Sequence, residues 1–138
     1  MKRVIFCIIG WVLVLGLHAQ IVENMRIYTD KDCYVAGEDL WIKVCVTDSL
    51  SRGSVLSKVA YVEISDTKLV YAQGKIGLQN GNGWGRIRLP QVMHTGAYQL
   101  TAYTRYMRNY PMACFPKKYI ASVSYTHLRA HETLSDLV

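Results

Sequence analysis

The sequence predicts an all-β chain: a single antiparallel β-sandwich of about seven strands. Three observations predict it. Short runs of alternating apolar and polar residues fill the stretch from 20 to 123, turn residues separate them at regular spacing, and no useful window there has helical periodicity. The clearest run follows the turn signal Ala36-Gly37-Glu38-Asp39, after which Leu40, Ile42, Val44 and Val46 alternate as in a half-buried strand.

Lys2 and Arg3 precede an apolar run from Val4 to Leu17, followed by His18-Ala19-Gln20. This has the form of a secretory signal peptide, residues 1–19, cleaved after Ala19, although Leu17 is larger than the small residue usual at that position. The run falls short of the roughly 20 residues needed to span a bilayer. Cys7 lies inside it, after Val4-Ile5-Phe6 rather than after small residues, which argues against a lipoprotein. Residues 20–123 then form the sandwich domain.

Strands are expected near 22–28, 38–47, 58–65, 69–78, 84–89, 96–105 and 117–123. Asp48 to Ser57 reads as a polar loop and Asp66-Thr67 as a tight turn after Ala60, Val62 and Ile64. Asn80-Gly81-Asn82-Gly83 is a hairpin signal, and Pro90 closes the strand bearing Ile87 and Leu89. Gly96 stands two residues before Tyr98, where alternation with Leu100 and Ala102 begins, an arrangement resembling the tyrosine corner of Greek-key sandwiches. About a hundred residues in seven strands is the size of one immunoglobulin-like sandwich. Leu100 stands where antibody domains place a core cysteine, so the central disulfide of those domains is not expected.

Between 20 and 123, thirteen Lys or Arg face eight Asp or Glu, a net charge of +5. The excess is scattered: Arg86 and Arg88 share a strand face, Arg105 and Arg108 follow another strand, and Lys117-Lys118 lie near the end. It reads as solvated strand faces, and with an export signal and no recognised binding motif it argues against nucleic acid. After Ala19, Cys33, Cys45 and Cys114 remain. An odd number leaves one thiol unpaired or paired outside; a Cys33–Cys45 bridge across adjacent strands and three small apolar residues are the alternatives.

No group of residues announces catalysis, a cofactor or a metal. Gly81, Gly83 and Gly85 precede a strand, not the helix a phosphate loop requires. His94 lacks a Gly-x-Ser-x-Gly elbow and reads as a turn residue. The pairs Asp30/Asp32 and Glu38/Asp39 flank a turn, where carboxylates more often bind local backbone than calcium. His127 and His131 are four apart without the Glu of a zinc-protease motif. Trp41, Trp84, Tyr103, Tyr106 and Tyr110 exceed what one core absorbs, so Trp41, Trp84, Tyr103, Arg105, Tyr106 and Arg108 form the candidate interaction surface. Gly37, Glu38, Gly96 and Tyr98 are the candidate structural residues.

Tyr28 to Tyr34 (YTDKDCY), Gly37-Glu38 and Leu40 to Lys43 resemble the opening of macroglobulin-type domains of the alpha-macroglobulin family, with Ala36 where the family has proline. Ser57 to Glu63, Leu89-Pro90, Gly96-Ala97-Tyr98 and above all Ala102 to Asn109 (AYTRYMRN) are similar to the version opening large exported proteins of Bacteroidetes-type bacteria. Some of these continue into the plug of TonB-dependent outer-membrane receptors. The resemblance, over roughly 22–123, implies an exported domain of the periplasm or outer-membrane periphery of a Gram-negative bacterium. Its implied partners are downstream domains of its own chain; the alternative is a carbohydrate- or protein-binding accessory domain of a TonB-dependent outer-membrane uptake system, the exposed aromatics beside Arg105 and Arg108 offering a contact to another envelope protein or a glycan. The family is associated with endopeptidase inhibition, but its bait segment and Cys-Gly-Glu-Gln thioester are not found here. Ser124 to Val138 breaks the strand pattern and resembles translated sequencing-adapter DNA, so residues 124–138 are expected to be non-native, the natural chain continuing past Val123.

Overall fold

The computed structural model describes residues 22–124; the expected signal peptide, His127, His131 and all of the expected tail beyond Ser124 lie outside the described residues. Eight strands form two sheets: β1 (Asn24–Thr29), β2 (Cys33–Val35), β3 (Asp39–Thr47), β4 (Val59–Ser65), β5 (Val70–Gly77), β6 (Asn82–Arg88), β7 (Gly96–Thr104) and β8 (Lys117–Val123). One sheet has the order β1-β3-β6 and the other β2-β8-β7-β4-β5. Among the described residues the only helices are the single 3-10 turns Met107–Asn109 and Met112–Cys114. The predicted β-sandwich is the observed one, and the seven expected strands are all present with ends shifted by at most two residues.

The difference is β2. It pairs parallel with β8 while every other strand pairing is antiparallel. Three residues inside a polar cluster carry no readable alternation; their place is set by backbone, the Ala121 amide donating to the Asp32 carbonyl and the Ala36 amide to the Val123 carbonyl.

Alternation fixes which way each side chain points. Leu40, Ile42, Val44 and Val46 face inward from β3, Ala60, Val62 and Ile64 from β4, and Tyr98, Leu100 and Ala102 from β7, all buried. Between them Trp41 and Lys43, Tyr61 and Glu63, and Thr101 and Tyr103 occupy the two outer faces. The fold therefore presents two broad surfaces, one per sheet.

Two turns hold the register. The Glu38 amide donates to the Val35 carbonyl at 3.0 Å, closing a turn whose third residue, Gly37, has φ +86°, as a type II turn requires. At the β5–β6 hairpin Asn80 (φ +49°) and Gly81 (φ +77°) form a two-residue loop with both φ positive, the type I′ geometry that asparagine-glycine favours. The glycine series continues for a different reason. A Cβ on Gly83 would lie 2.5 Å from the Gly77 carbonyl oxygen and 2.9 Å from Ile76 and Leu78, so β6 approaches β5 only without a side chain there.

Cys33 lies in β2 of the five-stranded sheet and Cys45 in β3 of the three-stranded one, so they are not on adjacent strands. Cys33, Cys45 and Cys114 are all free thiols.

Candidate functional site

The six residues of the expected interaction surface do not form one surface. Trp41 and Trp84 stand on the outer face of the three-stranded sheet, whereas Tyr103 is on the outer face of the five-stranded sheet and Arg105, Tyr106 and Arg108 follow the end of β7.

On the five-stranded sheet the rings around Tyr103 are occupied by one another, while Tyr119, 68% exposed, stands apart on β8. Tyr103 stacks between Tyr61, at 5.6 Å between centroids, and Phe115, at 5.2 Å. Its hydroxyl donates to Glu63 Oε1 at 2.7 Å, and Gln73 Nε2 donates to the same oxygen at 3.3 Å. The Glu63 bond, with burial behind it, pushes the Tyr103 phenol up from its ordinary value. Lys75 Nζ sits 5.8 Å from the Tyr61 centroid, within cation–π range. With both ring faces covered and its hydroxyl engaged, Tyr103 braces the sheet. Beyond it, Arg105, Tyr106, Asn109, Leu56 and Lys58 line a groove of about 520 Å³. Arg105 and Arg108 are exposed, while Tyr106 is half-buried and meets Tyr110 edge-on at 6.1 Å.

The three-stranded sheet differs. Its outer face carries Tyr28, Trp41 and Trp84, 48%, 51% and 73% exposed, and none stacks on another ring among the described residues. In register, Tyr28, Lys43 and Trp84 share one row across β1, β3 and β6, and Trp41 and Arg86 share the next. Arg26 lies on the same face of β1, and Arg88 on that of β6. A shallow, largely apolar cleft of about 270 Å³ runs between the rings. The sequence reading missed Tyr28. Its signal was available, in the alternation of Arg26 and Tyr28 with Met25 and Ile27.

The carboxylates around the first turn are engaged locally. Asp30 Oδ1 accepts from the Tyr34 hydroxyl at 2.7 Å and from the Trp41 amide at 3.1 Å. Burial pushes the Asp30 carboxyl up, but these bonds outweigh it and hold the group below its ordinary value. Burial and the Asp30 bond push the Tyr34 phenol up to about 12. Glu38 is paired with Lys31 and accepts from the Val35 amide at 3.0 Å; the Lys31 ammonium, then that amide, lower its carboxyl. Asp32 pairs with Lys118 at 2.9 Å and Asp39 with Arg86 at 3.3 Å. No group of three or more His, Cys, Asp or Glu able to hold a metal occurs among the described residues.

The remaining structural candidates divide. The Tyr98 hydroxyl donates to the His94 carbonyl at 2.9 Å, fixing the loop before its own strand. Gly96 is exposed, and a Cβ there would meet nothing within 4 Å, so the structure gives no steric reason for glycine. A polar cluster invisible in the sequence lies behind the domain's first strand. Glu23, 3% exposed, accepts from the hydroxyls of Ser54 (2.5 Å), Ser57 (2.9 Å) and Thr104 (2.6 Å), residues 31, 34 and 81 positions away.

Among solved structures the domain is similar to Salmonella alpha-2-macroglobulin reacted with methylamine, with a TM-score of 0.58 at 14% identity. It is also similar to native E. coli alpha-2-macroglobulin, with a TM-score of 0.58 at 13% identity. The fold is macroglobulin-like. Each alignment covers 75% of this chain and 6% of the other, so the chain spans a small part of those proteins. No protein-family model matches the chain, and no curated protein matches it.

Proposed function

We propose that the macroglobulin-like sandwich is a non-enzymatic spacer and docking domain of a larger exported cell-envelope protein, in the periplasm or at the outer-membrane periphery. The observation that carries this is the disposition of the polar groups. Carboxylates that would serve acid–base chemistry are instead bound to amides, hydroxyls and cations that hold turns and sheets together.

Two further observations support it. The fold is shared with bacterial alpha-2-macroglobulins, in which a match of this size is 6% of the chain. The basic start, apolar run and Ala19 support export. Among the described residues no helix is long and apolar enough to cross a membrane. Protease trapping is not assigned to this segment, because Cys33, Cys45 and Cys114 are not followed by Gly-Glu-Gln. Continuation toward a TonB receptor plug rests on the sequence resemblance.

Fractionating cells that express the gene with a C-terminal tag, and sequencing the locus past the codon for Val123, tests the proposal. Processing after Ala19, recovery from the envelope and a reading frame continuing into further domains are the expected results. An unprocessed cytoplasmic product, or a stop codon directly after the sandwich, overturns it.

A further inference from the structure

We propose that the outer face of the three-stranded sheet binds an acidic polysaccharide, a uronate-bearing chain lying across β1, β3 and β6. The inference goes beyond a spacer role, and it relies on the proposed export to prefer a glycan over a nucleic acid.

The argument starts from what the face leaves unsatisfied. Trp84 is 73% exposed, Trp41 51% and Tyr28 48%, and they gather around one cleft whose lining is mostly apolar. Concentrated apolar surface of this kind marks a contact site rather than ordinary solvent-facing residues. On the other sheet Tyr61, Tyr103 and Phe115 are stacked on one another, and the exposed Tyr119 stands alone rather than in a group around a cleft.

Charge then selects the ligand class. Arg26, Lys43, Arg86 and Arg88 all point outward from this face. Arg86 is paired, with Asp39. Arg26, Lys43 and Arg88 have no ion-pair partner among the described residues. Asp30, the other carboxylate beside the cleft, is held by the Tyr34 hydroxyl and the Trp41 amide. The unpartnered cations thus call for anionic groups from outside, and guanidinium matches a carboxylate in geometry as well as charge.

Spacing selects a sugar chain among the anions. Tyr28 and Trp84 occupy one row on either side of Lys43, two strand spacings apart, about 10 Å between backbones. That is close to the length of a disaccharide. Two ring faces can then lie against the apolar faces of alternate sugar rings while the ammonium between them meets the carboxylate of the intervening ring. The cleft is shallow and the rings protrude, which suits an extended chain lying on the sheet; a protein anchor would instead need a pocket to fill.

Calorimetric titration of the full chain with tetragalacturonate tests this, with neutral maltotetraose, poly-L-glutamate and oligo-dT as comparisons. The expected result is saturable binding of tetragalacturonate with quenching of tryptophan fluorescence, at least tenfold weakened by Trp84→Ala and by Lys43→Glu and unchanged by Tyr119→Ala on the other sheet. All three are surface positions, and unchanged circular dichroism shows that each variant folds. Absence of tetragalacturonate binding, or binding unaffected by Trp84→Ala and Lys43→Glu, overturns the proposal. Equal or tighter binding of maltotetraose, poly-L-glutamate or oligo-dT also overturns it, pointing to a neutral glycan, an acidic peptide or a nucleic acid. Because these titrations use purified protein, their outcome is independent of whether the chain is exported, which fractionation decides.

Discussion

Glu23 Oε2 lies 2.6 Å from the Thr104 hydroxyl, which in turn accepts the Met107 amide at 3.1 Å. This relay joins the start of the first strand to the end of β7 and its following helical turn, while Ser54 and Ser57 bring the 48–57 loop to the same carboxylate. Glu23→Ala strands three buried hydroxyls and is expected to cost about 3–4 kcal/mol. Glu23→Gln retains an acceptor and is expected to cost about half as much. Urea midpoints of the two variants check the ordering.

Gly81 is fixed by geometry. Its φ of +77° disfavours any side chain, and an added Cβ would collide with the Val46 carbonyl. Gly81→Ala is expected to destabilise by about 2–3 kcal/mol. Gly96→Ala, where a Cβ meets open space, is expected to stay within about 0.5 kcal/mol of the parent. Equal thermal shifts for the two would contradict this reading of the hairpin.

These positions show what could be read from the sequence and what could not. Leu40 to Val46 and Tyr98 to Ala102 were legible because a period of two is the geometry of a strand. The Asn80-Gly81 turn was legible because few residues accept its φ values. The Glu23 cluster was not, since its partners lie 31 to 81 residues away and serine and threonine carry no long-range signal. Nor was the separation of Trp41 and Trp84 from Tyr103. Exposure can be guessed from composition, but membership of one sheet or the other depends on strand order, which alternation does not encode.

Four carboxylates set the acid limit of stability. Asp30, Glu38, Asp48 and Asp66 are all held below their ordinary values: Asp30, against its burial, by Tyr34 and Trp41, Glu38 chiefly by Lys31, Asp48 by the Arg52 amide and Asp66 by the Lys68 and Leu69 amides. A depressed carboxylate stabilises the fold above its unfolded value and loses that contribution as pH falls through the folded one. Stability is therefore expected to decline below about pH 4.5, the ordinary value for Glu38. Tyr34 acts in the opposite sense. Raised from 10.0 to about 12, its contribution is complete below pH 10 and is lost as pH rises toward 12. Urea midpoints from pH 2 to 12 should show both limbs, and Asp30→Asn should flatten the acid one.

The free thiols give a prediction on access. Cys33 and Cys114 are exposed, and Cys45 is half-buried on the outer side of β3. Native protein is expected to label fast at Cys33 and Cys114 and more slowly at Cys45, as resolved by peptide mass spectrometry. A reductant is expected to leave the melting temperature unchanged. A reductant-sensitive melt would reveal a disulfide, contrary to the three free thiols of this structure.

Ala36 occupies the second position of the turn closed by Glu38 and Val35, where proline usually stabilises by presetting φ. Here that residue has a second duty. Its amide donates to the Val123 carbonyl at 3.0 Å, continuing the parallel pairing of β2 with β8. Proline has no N–H, so the gain in turn preorganisation is set against a lost rung on a strand of only three residues. The lost rung should win, because the pairing of β2 with β8 runs over only three residues and has few rungs to lose. Ala36→Pro is expected to lower stability by about 1 kcal/mol. Hydrogen exchange localises the effect: faster exchange confined to Ala121 and its neighbours in β8 supports this account, whereas a higher melting temperature would mean that β2 adds little to the sandwich.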